Sequence, residues 1–192
     1  MNRFEGMRVV GLDLSLTSTG MSDGQFHRVT QTSPDDPLEY RMDRITRRAR
    51  EFANGDGVGS RAGLAVIEAG AFSRGSQSAA AEYLSALRFM VRRELWLMGI
   101  PFAMISPTSL KLYTTGYGKA TKLQMVEAIR ARHGLDLSGV LVKDGRYDIA
   151  DAVALTAMGR AWIGQPLPIE GPPPPRQPLL AVKWPVSELL AP

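Results

Sequence analysis

The chain has 192 residues, of which 44% are apolar, and this suits one domain with a buried core. It contains no cysteine and only two histidines, His27 and His133, which excludes disulfides and thiol nucleophiles and leaves little material for zinc chemistry. The net charge is +4 and 18 of the 23 basic residues are arginine, which favours a polyanionic partner or reflects a GC-rich genome.

The first third of the sequence predicts three short strands, a helix and a fourth strand. Residues 7–14 are rich in strand formers, residues 15–22 contain a Thr-Ser-Thr-Gly turn, and residues 25–32 resemble a third strand. Together they favour an antiparallel meander. Residues 36–53 predict a helix, and residues 63–68 are an apolar run typical of a strand buried on both faces. The helix carries five arginines, which are Arg41, Arg44, Arg47, Arg48 and Arg50.

The remainder of the core predicts one more strand and four helices. These elements are a helix over residues 76–98, a strand over 101–105, a short helix that begins near 106–109, and helices over 122–133 and 148–163. Ser76 or Ser78 is a plausible N-cap of the long helix over residues 76–98. Gly134 ends the helix over residues 122–133. A loop rich in glycine and threonine spans residues 114–122.

The long helix over residues 76–98 has two apolar stripes. One contains Ala80, Leu84, Leu87, Val91 and Leu95, and the other contains Ala79, Tyr83, Ala86, Met90 and Leu97. Because one stripe is enough to cover a sheet, the second needs a partner of its own. That partner is either a second helix of the same domain or a second copy of the chain.

The order of elements predicts an α/β domain over residues 1–163, with a mixed five-stranded sheet whose first three strands are antiparallel. Residues 164–192 hold nine of the 13 prolines and are expected to form an extended or disordered tail, of which residues 179–190 could dock another protein or pack on their own domain. No apolar run approaches the roughly 20 residues of a bilayer span, and no signal-peptide core is present. We therefore expect a cytoplasmic protein without a membrane partner.

Asp148 and Asp151 form the most informative pair in the sequence. Residues three apart lie on one helix face, so two carboxylates would project from a helix that is otherwise small and apolar. Two neighbouring anions repel each other, and burial increases the cost, so a cation is the simplest remedy. Alternatively, Asp148 is a helix-start acid and Asp151 is solvated.

Asp13 and Glu68 are two further acids in apolar surroundings. Asp13 stands inside the first predicted strand, and Glu68 ends the fourth. Each has an ordinary explanation, as a turn cap or a solvated strand end, but both together with the aspartate pair suggest one site. Four carboxylates without histidine or cysteine favour Mg²⁺ or Mn²⁺. Two such ions about 4 Å apart would suit phosphodiester hydrolysis.

The three acidic motifs together resemble a known family. Gly-Leu-Asp-Leu-Ser at residues 11–15, Val-Ile-Glu at 66–68 and Asp-Ile-Ala-Asp-Ala-Val-Ala at 148–154 are similar to the RuvC-type Holliday-junction resolvases of the RNase H-like superfamily, in a phage or bacterial branch. The resemblance implies a Mg²⁺-dependent endonuclease that cuts branched DNA as a homodimer and leaves a 5′-phosphate. It also implies that Asp13, Glu68, Asp148 and Asp151 are the metal ligands. Leu14 and Ser15 replace the family's usual Pro-Gly.

The resemblance extends to residues that would contact DNA. A family lysine before the final acid pair matches Lys122, with Lys119 as the alternate, and could hold the scissile phosphate. An aromatic residue after the second acid matches Phe72, one residue further on than expected. Other candidate phosphate contacts are Arg74, Arg88, Arg92 and Arg93. Each of these residues could instead be an ordinary surface or core residue.

Three other functions remain open from the sequence. A related nuclease that acts on flaps, forks or RNA–DNA hybrids would use the same four acids. An ATP-binding domain of the actin and sugar-kinase type would share the first motif, but 192 residues are too few for its two domains. A DNA-binding relative without catalysis would gain nothing from four anions placed near phosphates.

Overall fold

The computed structural model describes residues 4–57, 59–70 and 78–185. Its centre is a five-stranded sheet in the order β3-β2-β1-β4-β5. The strands are β1 (Val9–Asp13), β2 (Ser18–Ser22), β3 (His27–Gln31), β4 (Leu64–Glu68) and β5 (Phe102–Ile105). β1, β2 and β3 are antiparallel neighbours, whereas β4 lies parallel to β1 and β5 parallel to β4. The predicted mixed sheet is therefore confirmed.

Six helices surround the sheet in the described residues. They are α1 (Leu38–Asn54), α2 (Ala79–Leu97), α3 (Pro107–Thr115), α4 (Lys122–His133), α5 (Arg146–Trp162) and α6 (Gln177–Leu180). Local capping explains several boundaries. Thr121 and Gln124 form a capping box at the start of α4, and Gly134 ends it in the left-handed conformation. Among the described residues, no helix has the length and apolar character that crossing a bilayer requires.

Several element boundaries differ from the sequence prediction; for example, α1 begins at Leu38, two residues later than expected. α5 begins at Arg146, two residues earlier than expected, because Gly145 adopts a φ of 93° and ends a short 3₁₀ turn over Val142–Asp144. α3 continues to Thr115 and shortens the expected loop before α4. At the start of α2, the Ser78 side chain accepts a hydrogen bond from the Ala81 backbone, so Ser78 is the N-cap.

The two faces of the sheet carry separate apolar layers. α1 and α2 cover one face, where their side chains pack on Val10 and Leu12 of β1. α3, α4 and α5 cover the other face and pack on Val9 and on Val66 of β4. Because side chains alternate along a strand, Asp13 and Glu68 share the parity of Val9 and Val66 and face α5.

Part of the proline-rich tail packs on the domain. Trp184 is buried and stacks on Trp162 of α5 with ring centroids 5.1 Å apart. Leu167 joins the same apolar layer, and the Arg132 guanidinium donates to the carbonyl oxygen of Pro172 at 3.1 Å. Of the two alternatives, the tail up to residue 185 therefore follows the one in which it packs on its own domain. The tail packs because a few scattered apolar residues gain stability from burial. A composition rich in proline does not reveal these residues.

Candidate active site

Asp13 and Glu68 lie side by side at one edge of the sheet. Leu12 pairs with Ile67 in the parallel ladder between β1 and β4, so the next residue of each strand is an acid. Asp13 is buried, with 8% of its surface exposed, and Glu68 is partly buried. Both strands end here, so the two carboxyl groups stand at the carboxyl edge of the parallel part of the sheet.

Helix α5 brings Asp148 and Asp151 to the same edge because two glycines let it approach the sheet. A Cβ atom at Gly11 would lie 2.1 Å from the carbonyl oxygen of Ala152, and one at Gly20 would lie 2.1 Å from that of Asp148. Neither position can carry a side chain unless the helix moves away. The glycine of the first motif therefore supports the site by allowing close packing.

Burial and neighbouring charge act together on Asp13. Burial raises the pKa of Asp13 well above its ordinary value, and the charge of Glu68 raises it further. The charge of Asp151, a hydrogen bond with the Glu68 side chain and the charge of Asp148 add to the effect. The other three predicted acids are thus all within electrostatic reach of Asp13.

Asp151 lies between acids and lysines. Burial and the charge of Glu68 raise the pKa of Asp151 to about 7, and Asp148 contributes in the same direction. Lys122 and, more weakly, Lys111 oppose this rise. The Lys122 ammonium also lies 5.4 Å from the ring centroid of a tyrosine in the first turn of α5. The predicted lysine is therefore beside the acids.

Asp148 has a partner of its own. The hydroxyl of Ser18 on β2 donates to its Oδ2 atom at 2.5 Å. Ser18 and Lys111 are near the acids but were not among the predicted site residues. Ser18 lies in the Thr-Ser-Thr-Gly segment that was predicted as a turn; this prediction is wrong, because Ser18 begins strand β2. Lys111 lies on α3, and no local pattern marks it as close to Asp151.

Arg88 approaches the acids from α2. Its Nε atom donates to the carbonyl oxygen of Glu68 at 3.1 Å. Burial lowers the pKa of the Arg88 guanidinium, and the charges of Glu68 and Asp13 oppose this change. The structure therefore brings this predicted DNA contact to the acids, although its position also suits a purely structural role.

Two other predicted DNA contacts that the structure describes, Arg92 and Lys119, have no contact with the acids among the described residues. Arg92 lies one turn further along α2, where its guanidinium stands 5.3 Å from the ring centroid of Phe102. Lys119 is exposed on the loop before α4. Phe72 and Arg74 lie outside the described residues.

The donor chemistry of the four acids fits a hard divalent cation. Carboxylate oxygens are the ligands that Mg²⁺ and Mn²⁺ prefer, and a cation would relieve the repulsion that raises the pKa values of Asp13 and Asp151. Within residues 4–57, 59–70 and 78–185, however, no three His, Cys, Asp or Glu side chains lie close enough to enclose one ion. The fit therefore rests on chemistry and electrostatics, and not on a closed cage.

Comparison with known proteins now gives the family. The crossover junction endodeoxyribonuclease RuvC of Corynebacterium glutamicum is 31% identical to the chain over 168 residues, which cover 82% of this chain and 71% of that protein. The chain belongs to the RuvC family. No family model matches it.

Two solved structures agree with this RuvC-family fold. The structure of Thermus thermophilus RuvC covers 84% of this chain with a TM-score of 0.61 and 23% identity. The structure of T. thermophilus RuvC in complex with a Holliday junction substrate matches with a TM-score of 0.64 and 24% identity, again over 84% of this chain. In both comparisons the match spans 99% of the T. thermophilus chain. The predicted RNase H-like fold and the resemblance to RuvC-type enzymes are confirmed.

Proposed function

We propose that this chain is a metal-dependent endonuclease that resolves branched DNA such as Holliday junctions. Its relatives carry that activity in their names, and its four acids converge at one edge of the sheet. The carrying observation is geometric: Asp13 and Glu68 follow paired residues at the ends of β1 and β4, and α5, packed closely on Gly11 and Gly20, brings Asp148 and Asp151 to the same edge. The place of action would be the cytoplasm of a bacterium or of a phage-infected host.

We assign Asp13, Glu68, Asp148 and Asp151 as ligands of Mg²⁺ or Mn²⁺, two ions per site. The ions, when bound, supply an activated water and neutralise charge on the leaving oxygen of a phosphodiester. The protein residues hold these positions: Ser18 fixes the Asp148 carboxylate through its hydrogen bond. Arg88 holds the backbone of Glu68 in place, because its Nε atom donates a hydrogen bond to the Glu68 carbonyl oxygen.

Lys122 is the residue that we assign to the scissile phosphate. Its ammonium lies close enough to lower the pKa of Asp151, so it stands beside the proposed reaction centre without being buried. A cation at this point attracts the phosphate and offsets charge that develops during cleavage. The charge of Lys111 on α3 also lowers the pKa of Asp151, more weakly, and reinforces the effect.

We propose that the working form is a homodimer that uses the outer face of α2. The first predicted stripe of α2 packs inward, as Leu87, Val91 and Leu95 are buried. On the outer face, Phe89 and Trp96, which belong to neither predicted stripe, are 62% and 72% exposed, and Leu97 of the second predicted stripe is 53% exposed. Large exposed apolar groups on one helix favour an interface, and a two-fold axis would present two active sites to two symmetric strands.

Cleavage of defined substrates tests the proposed activity. The parent is expected to cut a synthetic four-way junction with Mg²⁺ faster than a flap, a linear duplex or an RNA–DNA hybrid. Equal rates on linear duplex would refute resolution but leave nuclease activity, and a preference for the hybrid would favour the related nuclease. Asp13→Asn and Asp151→Asn are expected to lose all of these activities.

Gel filtration tests the dimer. The parent is expected to elute well above its monomer mass of 20.9 kDa, whereas Phe89→Glu is expected to elute as a monomer. Leu180→Glu is the matched control, because it changes another exposed apolar residue that is remote from α2 in sequence. A parent that elutes as a monomer at its working concentration would contradict the dimer.

A further inference from the structure

A second, cationic site lies between α1 and the edge strand β3. A cavity of about 340 Å³ opens there. Three arginines contribute to its wall together with the polar face of β3; the lining residues are Arg28, Val29, Thr30, Gln31, Arg44 and Arg48. We call Arg28, Arg44 and Arg48 the β3–α1 arginine site.

Arg44 has an unused donor in this site. Its Nε atom is buried and has no hydrogen-bond partner among the described residues, although its Nη1 atom donates to the hydroxyl of Tyr40 at 3.3 Å. A buried donor without an acceptor costs about 1–3 kcal/mol. A charged donor of this kind, in the wall of a cavity, suits a ligand with acceptor oxygens.

Positive charge in the site exceeds negative charge. Within the described residues, Arg28 and Arg44 form no ion pair, and only Arg48 does, with Glu51 at 2.7 Å. Asp144 lies across an adjoining cavity of about 330 Å³ that Arg44 also lines, but it is not within ion-pair distance. The site therefore suits an anion, and the forked guanidinium groups suit a phosphate in particular.

The β3–α1 arginine site begins beside the active site. Gln31, which lines the cavity, pairs in register with Ser18, the residue that binds Asp148. Arg41, one turn before Arg44 on α1, donates to the carbonyl oxygen of Leu16 at 2.8 Å. The cavity thus leads away from the acidic edge along a strand that has a neighbour on one side only.

We propose that the β3–α1 arginine site binds backbone phosphates of a duplex arm of the DNA substrate, at a distance from the scissile phosphate. The inference rests on the proposed function, because it assumes that DNA occupies the acidic edge. A phosphate backbone that leaves the acidic edge along β3 would meet Arg44 and Arg48, one helical turn apart, in succession. The site contributes affinity for the arm and takes no part in the chemistry.

Arm length and charge together test the site. Binding is measured in EDTA with a long-armed junction and with one whose arms are cut back to the base pairs next to the crossover. Arg28→Gln and Arg44→Gln are each expected to weaken long-arm binding about 5–10-fold and to reduce the slope of log K against log salt by about 1. On the short-armed junction, both variants should match the parent.

Arg47→Gln is the matched control. Arg47 lies on the same helix and carries the same charge, but it is exposed and does not line the cavity. Its long-arm affinity should change less than about 2-fold. Three results would refute the site. They are an equal loss of long-arm affinity in Arg47→Gln, a loss of affinity in Arg44→Gln that is the same on short arms, and no loss of affinity in Arg44→Gln. Thermal unfolding of each variant verifies that it is folded.

Competition with inorganic phosphate distinguishes two possible ligands of the β3–α1 arginine site, a DNA backbone and a free anion. At constant ionic strength, phosphate should compete with the long-armed junction for the parent and not for Arg44→Gln. If phosphate stabilises the parent while Arg44→Gln binds long arms normally, the ligand is a free anion and the DNA contact is refuted. A parent that binds no branched DNA would instead refute the proposed function.

Discussion

Asp151→Asn is expected to stabilise the metal-free protein at high pH. The folded state raises the pKa of Asp151 from 3.8 to about 7, so the folded form binds its proton more tightly than the unfolded form. Stability therefore falls as the pH rises from about 4 to about 7, where the unfolded state has lost the proton and the folded state must follow. Asparagine carries no charge and removes this loss.

The size of the effect follows from the pKa. One pKa unit corresponds to about 1.4 kcal/mol, so the upper limit of the gain above pH 7 is about 4 kcal/mol. Asp151 is partly exposed, so screening by solvent reduces the gain to an expected value of about 2 kcal/mol. Below pH 4, both states of the parent are protonated and the gain should vanish.

Urea denaturation in EDTA at several pH values between 4 and 8 measures the gain. Asp43→Asn, which changes an exposed acid on α1, is the control and should show no growing difference from the parent. Addition of Mg²⁺ should stabilise the parent more than Asp151→Asn, because only the parent retains all the proposed ligands. A variant that is no more stable than the parent at pH 8 would refute the electrostatic account.

Three further changes have expected outcomes. Gly20→Ala should lower stability by about 1–3 kcal/mol and abolish cleavage, because its Cβ atom would lie 2.1 Å from the Asp148 carbonyl oxygen; normal cleavage would contradict the close-packing account. Lys122→Met should move the acidic limb of the pH–rate profile to higher pH, since the lysine lowers the pKa of Asp151, whereas Lys122→Arg should not. Trp184→Ala should cost about 3 kcal/mol in denaturation, and an unchanged midpoint would show that the tail does not support the core.

The core of the fold could be predicted from the sequence because its signals are local. Runs of strand-forming residues indicated β1 and β4, and Gly134 marked the observed end of α4. The four acids could be singled out from the sequence because an acid inside an apolar run is unusual. This signal is local and does not depend on where the residue lies in the fold. Their mutual proximity is a tertiary property, which the resemblance supplied and the local pattern could not.

The remainder depends on contacts between distant residues. Lys111 and Ser18 are ordinary residues in their own segments, and only packing shows that one approaches Asp151 and the other binds Asp148. The high proline content of the tail predicted an extended or disordered segment. Stacking of a single tryptophan on α5 outweighs that signal in the described part of the tail.

Single-turnover cleavage of a four-way junction as a function of Mg²⁺ concentration tests the proposed active site most directly. The parent should cut the junction with Mg²⁺ and not in EDTA. Asp13→Asn should be slower by more than about 100-fold at every Mg²⁺ concentration, a larger loss than a change outside the ligand shell causes. Asp43→Asn should match the parent. If Asp13→Asn cuts as fast as the parent, the four carboxyl groups are not the catalytic metal site.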